Sequence, residues 1–106
     1  MKILYSFHAR DDLHEIFEYI AYALASPTTA GSLANKIMRE IQSLESMPER
    51  NPLFQDEPWC GRGVRVLKVK KYLVFYTVDS DTSTVIIERI IYGGRDISRQ
   101  LEDKTE

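Results

Sequence analysis

The sequence predicts an α+β fold in which two helices pack on one face of a small, mainly antiparallel sheet. Two observations support this. In two N-terminal stretches, apolar residues recur at intervals of three and four, which is typical of amphipathic helices. Residues 64–97 contain three short β-favouring runs separated by brief turns. With an alternating, strand-like segment at residues 2–7, the predicted order is β-α-α-β-β-β, followed by a short C-terminal helix.

The two helices are predicted from their apolar stripes. Asp11 and Asp12 are placed near the start of the first helix, where the helix dipole favours negative charge. Ser26 and Pro27 mark the start of the second helix, as N-cap and first helical residue. The first stripe consists of Ala9, Leu13, Ile16, Ile20 and Leu24. The second consists of Ala30, Leu33, Ala34, Ile37, Ile41, Leu44 and Met47, and it ends before Pro48.

The central C-terminal run, residues 72–78, is apolar or β-favouring at every position, which predicts a strand covered on both faces. The runs on either side of it carry cations, among them Arg65, Lys68 and Arg89, and are expected to leave one face open to a partner. The expected core includes Leu13, Ile16, Ile37, Ile41, Val74, Tyr76, Ile87 and Ile90.

Residues 48–63 form the one irregular segment, with three prolines and two glycines. Leu53, Phe54 and Trp59 are expected to hold this segment on the core, because three large apolar side chains are unfavourable in water. The single cysteine, Cys60, is interpreted as a small, partly buried apolar residue.

Length and charge limit the remaining possibilities. A chain of 106 residues is expected to form one domain, here residues 1–101, followed by a frayed tail at 102–106. Residues 1–60 hold five Lys or Arg against nine Asp or Glu, whereas residues 61–106 hold nine against seven. The pI of 5.7 argues against a general nucleic-acid binder. Without an apolar run of spanning length or an export signal, a cytoplasmic location is expected.

Motifs for self-sufficient catalysis are missing from the sequence. We find no phosphate-binding loop, no nucleophile elbow and no Cys/His metal pattern, so no cofactor is expected. The two histidines, His8 and His14, do not match a metal-binding spacing.

Three strings resemble the RelE/ParE superfamily of toxins from type II toxin–antitoxin systems, and the ParE branch most. They are ARDDLHEI at 9–16, VKKYLVFY at 69–76 and RIIYGGRDI at 89–97. The resemblance implies a cytoplasmic toxin bound by a cognate antitoxin in a hetero-oligomer, with no membrane partner. RelE-like members cleave mRNA in the ribosomal A site without a metal, whereas ParE-like members bind DNA gyrase.

The choice between these activities depends on a few positions. RelE-like ribonucleases carry an arginine where this chain has Leu73, and often an acid–base tyrosine near the place of Leu101. Tyr92 is the one substitute, and packing explains it equally well. These differences favour gyrase binding without an intrinsic catalytic site. The alternatives are a ribosome-dependent mRNA endoribonuclease and a degenerate, non-toxic interaction module.

The candidate site residues follow from the same resemblance. For gyrase binding, the candidate contact residues are Arg65, Lys68, Arg89, Arg95 and Arg99. For the ribonuclease alternative, the catalytic candidates are Arg65, Lys68 and Arg95. Arg95 and Arg99 would share a helix face if the tail is helical.

Overall fold

The computed structural model describes residues 1–94 and 97–102, and it confirms the predicted α+β fold and the order of its elements. The helices are α1 (Phe7–Glu18), α2 (Pro27–Gln42) and α3 (Ile97–Glu102). The strands are β1 (Lys2–Tyr5), β2 (Arg65–Val69), β3 (Tyr72–Asp79) and β4 (Thr84–Tyr92). A π-helical turn (Tyr19–Ala23) follows α1, and a 3₁₀ turn (Ser43–Glu45) follows α2.

Helix α1 begins earlier than the sequence suggested. Ser6 is its N-cap, and the Ser6 hydroxyl accepts a hydrogen bond from the backbone N–H of Ala9 at 3.0 Å. Asp11 and Asp12 therefore lie beyond the first turn, which contains no acidic residue. The interpretation of Asp12 as a dipole-compensating residue is wrong, since its side chain is buried and ion-paired with Arg89.

The four strands lie in the order β1-β4-β3-β2, with β1 parallel to β4 and the other pairs antiparallel. The first strand thus joins the C-terminal meander at β4. The β3–β4 register shifts between Phe75 and Tyr76. This irregularity explains how Ile87 and Ile90, three positions apart on β4, both pack in the core beneath the helices.

Helices α1 and α2 cover one face of the sheet. Six of the eight expected core residues are buried, namely Ile37, Ile41, Val74, Tyr76, Ile87 and Ile90. Leu13 and Ile16 are partly buried against the same cluster. Leu24 and Met47, placed at the ends of the two stripes, are instead exposed, because each lies beyond the end of its helix.

The second face of the sheet is covered by segment 48–63 and helix α3, which corrects the expectation of an open face. Trp59, Phe75, Ile91 and Leu101 are buried there in one cluster, with Phe54 partly buried against it. Phe54 and Trp59 hold the irregular segment as predicted. Leu53 does not, since 45% of it is exposed, although it forms a β-bridge with Arg65.

Candidate protein-binding groove

Among the described residues, the predicted cations do not all converge on one site. Arg65 donates from Nη1 to the carbonyls of Asn51 at 2.7 Å and Glu49 at 3.3 Å, so its guanidinium holds the irregular segment to β2. Lys68 is exposed and lies three residues further along the same strand. Because side chains alternate between the faces of a strand, Arg65 and Lys68 point to opposite sides of the sheet.

Arg89 is inside the domain, and its burial argues against the predicted role as a target-contact residue. Only 7% of Arg89 is exposed, and its guanidinium forms a two-point ion pair with Asp12. A surface role would require this pair to break, and breaking a buried ion pair is strongly destabilising. Arg99 is exposed on α3. Arg95 lies outside the described residues, so its relation to Arg99 stays a prediction.

The structure instead reveals a groove of about 850 Å³ that the sequence did not indicate. One wall is formed by α1 and the π-helical turn, the other by the ends of β3 and β4, and α3 closes one end. Asp12, Glu15, Ile16, Tyr19, Ile20 and Leu24 line the first wall; Lys71, Tyr72, Arg89, Ile90, Ile91 and Tyr92 line the second; Arg99 and Gln100 line the end.

Three tyrosines line the groove. Tyr72 and Tyr92 pack edge to face with ring centroids 5.7 Å apart, and 59% of Tyr19 is exposed in the opposite wall. Burial raises the pKa of Tyr72 above its ordinary value of 10.0, and the nearby Tyr92 and Tyr19 hydroxyls raise it further. The Tyr72 hydroxyl therefore stays protonated near neutral pH, where it can donate a hydrogen bond to a bound partner.

The glycine pair after β4 shapes the same wall. A Cβ on Gly94 would come within 2.3 Å of the Tyr92 ring, and a Cβ on Gly93 would come within 3.0 Å of the Leu73 side chain. The two glycines therefore provide the space in which Tyr92 and Leu73 pack.

The π-helical turn exposes apolar groups beside the groove. Tyr22 in the turn is 74% exposed, Leu24 directly after the turn is 56% exposed, and Ala25 follows with a φ of 51°. Leu24 lines the groove, whereas Tyr22 does not. Tyr19 and Tyr22 fall outside the predicted apolar stripe of the first helix. Two large aromatic residues outside the buried stripe were the sequence signal for an exposed surface here.

Two exposed cations line the groove. Lys71 lies in the wall formed by the strands and Arg99 at the α3 end, whereas Glu15 lines the helical wall. The Asp12 and Arg89 charges in the groove are paired with each other. An apolar segment that carries acidic residues would complement the exposed cations.

Among residues 1–94 and 97–102, no group of three His, Cys, Asp or Glu side chains is placed to hold a metal ion. No helix among the described residues is long and apolar enough to cross a membrane.

Comparison with known proteins shows that the fold resembles solved toxin structures and that the sequence matches a protein-family model. The chromosomal ParDE toxin–antitoxin system from P. aeruginosa has a chain that matches with a TM-score of 0.71 and 21% identity, over 87% of this chain and 95% of that chain. The isolated E. coli RelE toxin matches with a TM-score of 0.59 and 11% identity, over 97% and 95%. At these identities the likenesses show a shared fold.

No curated protein matches the sequence. A family model does, and its description is the ParE toxin of the type II toxin–antitoxin system parDE. The match covers residues 3–97, which include β1 to β4 and both long helices. The chain therefore belongs to the ParE toxin family of type II toxin–antitoxin systems.

Proposed function

We propose that this chain arrests growth by binding DNA gyrase in the cytoplasm, with no catalytic chemistry of its own. The observation that carries the proposal is that Leu73 and Leu101 are apolar and packed inside the domain. By the resemblance, Leu73 takes the place of an arginine of RelE-like ribonucleases, and Leu101 lies near the place of their acid–base tyrosine. Leu101 is 1% exposed and Leu73 packs against the same cluster. Neither side chain can transfer a proton or stabilise a phosphorane.

The positions of the cations support the same proposal. Cleavage of RNA without a metal needs cations gathered around one phosphate. Arg65 is bound to loop carbonyls, and Lys68 lies on the other side of the sheet. Lys68 and Arg99 stay candidate contact residues for gyrase, because both are exposed. Arg95 stays a candidate from the sequence alone.

Charge reversal at Arg99 tests this activity. Purified wild-type protein is expected to inhibit supercoiling by gyrase and to accumulate cleaved DNA. Arg99→Glu should need about tenfold more protein for the same inhibition, since a charged hydrogen bond contributes about 1.5–3 kcal/mol. Arg39→Glu is the matched control, because Arg39 is exposed on α2 and does not line the groove. The control should inhibit like the wild type.

Two outcomes would contradict the proposal. Codon-resolved mRNA cuts at the ribosomal A site in cells expressing the protein, lost on Arg95→Ala, would indicate a ribonuclease and give Arg65, Lys68 and Arg95 catalytic roles. A protein that neither inhibits gyrase nor slows growth would indicate a non-toxic interaction module.

We also infer that a cognate antitoxin neutralises the protein by docking in the tyrosine-lined groove, forming a toxin–antitoxin hetero-oligomer. The inference is supported by the exposed tyrosines of the groove and by the exposed cations Lys71 and Arg99 that line it. An acidic, amphipathic segment of the antitoxin would place apolar side chains between the walls and carboxylates near these cations.

Substitution of Tyr19 tests the docking site. Tyr19→Ala should weaken binding of the antitoxin encoded beside this gene by about thirtyfold, because a central interface tyrosine contributes about 2 kcal/mol. Tyr22→Ala is the matched control: Tyr22 is the same residue type on the same turn, yet it does not line the groove. Equal effects of the two substitutions in isothermal titration would place the antitoxin elsewhere.

A further inference from the structure

The buried Asp12–Arg89 pair connects elements that are far apart in the sequence. Asp12 Oδ2 accepts hydrogen bonds from Arg89 Nε at 2.7 Å and from the backbone N–H of Ile90 at 2.9 Å. Asp12 Oδ1 accepts from Arg89 Nη2 at 3.1 Å. Helix α1 is thereby fixed to β4, and the orientation of the planar guanidinium is set by two parallel contacts.

The remaining guanidinium nitrogen of Arg89 reaches α3. Nη1 donates to the carbonyl of Gln100 at 2.9 Å and to the carbonyl of Leu101 at 3.3 Å. These carbonyls belong to the C-terminal end of α3, where helix carbonyls lack intrahelical donors and where a cation is favourable. Arg89 thus satisfies acceptors that the helix cannot satisfy itself.

Helix α3 depends on such contacts because it has only six residues. An isolated helix of that length does not persist in water. Besides Arg89, α3 is held by the buried Leu101 side chain, by Ile97, which packs against the same cluster, and by a hydrogen bond from Gln100 Nε2 to the Tyr92 carbonyl at 2.9 Å. The exposed Arg99 side chain lines the groove, and its place there follows from that of α3.

We propose that Arg89 is a positioning residue: oriented by Asp12, it holds α3 against the sheet and through α3 fixes Arg99 in the lining of the groove. Where this concerns gyrase, the inference rests on the proposed function. Lysine could not replace Arg89. The lysine ammonium is a compact point charge, so it cannot reach both Asp12 and the α3 carbonyls as the planar guanidinium does.

The first experiment measures the docking of α3 in Arg89→Lys, without any target. The probe is Trp59, the single tryptophan, which shares a buried cluster with Leu101. Loss of α3 should shift Trp59 emission to longer wavelength and raise hydrogen exchange of residues 97–102 at least tenfold more than exchange of α1 and α2, which rises only with the loss of global stability. Ile41→Val is the control, because it weakens the opposite core without touching α3.

The outcomes separate a positioning role from a general structural one. If exchange in α3 is unchanged, or rises by the same factor as exchange in α1 and α2, the proposal is wrong. If Arg89→Lys does not fold, Asp12→Asn provides the same test. This variant keeps an acceptor for the Ile90 N–H but weakens the contacts that orient Arg89. The same readings from Trp59 and from exchange are expected.

The second experiment tests whether Arg89 acts through Arg99. Arg99→Ala should reduce inhibition of gyrase about tenfold in the wild-type background but less than twofold in Arg89→Lys, because the side chain is already misplaced there. Equal reductions in both backgrounds would overturn the proposal. A wild-type protein without effect on gyrase would contradict the proposed function alone, and the Trp59 and exchange results would still decide the role of Arg89.

Discussion

Asp12→Ala is expected to lower the free energy of unfolding by about 3–5 kcal/mol. Asp12 is 6% exposed and accepts hydrogen bonds from Arg89 and from the backbone N–H of Ile90. Its removal leaves a buried cation and a buried N–H without that acceptor, so the desolvation penalty of both is no longer offset. Chemical unfolding followed by circular dichroism would measure the loss.

Two controls define this result. Asp81→Ala removes an exposed carboxylate in the β3–β4 turn and should change stability by less than about 0.5 kcal/mol. The double variant Asp12→Leu, Arg89→Met should be less destabilised than Asp12→Ala, because it leaves no unpaired charge. A double variant less stable than the single variant would show that the stability comes from the charge pair itself.

Ile41→Ala is expected to destabilise the domain by about 2–5 kcal/mol. Ile41 is 0% exposed in the cluster between the helices and the sheet, and its truncation leaves a cavity that packed neighbours refill only partly. Met38→Ala on the same helix is the control, with 47% of Met38 exposed and an expected change below about 1 kcal/mol. A loss below 1 kcal/mol for Ile41→Ala would indicate that the core repacks around the gap.

The sequence was informative wherever a structural property repeats along a short stretch of chain. The three- and four-residue spacing predicted helix α2, and Ile37 and Ile41 are buried in it. The continuous run from Tyr72 predicted a strand buried on both faces, and Val74 and Phe75 are buried in separate clusters. The apolar residues of segment 48–63 also predicted its packing, correctly for Phe54 and Trp59.

The sequence was less informative about individual charged residues. Arg65 and Arg89 were predicted as contact residues from the family resemblance and from their places on cation-bearing strands. Their partners are carbonyls of Glu49 and Asn51 in the first case, and Asp12 and the end of α3 in the second. A cation on a strand looks the same in sequence whether it faces solvent or a carboxylate 77 residues away.

By itself, therefore, the sequence determined the elements, their order, the helix-side core and the family resemblance, because these depend on local periodicity and on short strings. Only the tertiary structure decided which charges are buried and where a partner-sized groove forms. Tyr19 and Tyr92 are far apart in the sequence but line the same groove. Their shared location depends on the parallel pairing of β1 with β4 and on the packing of α1 against β4. Such long-range contacts arise from burying apolar surface over the whole domain, and no local pattern encodes them.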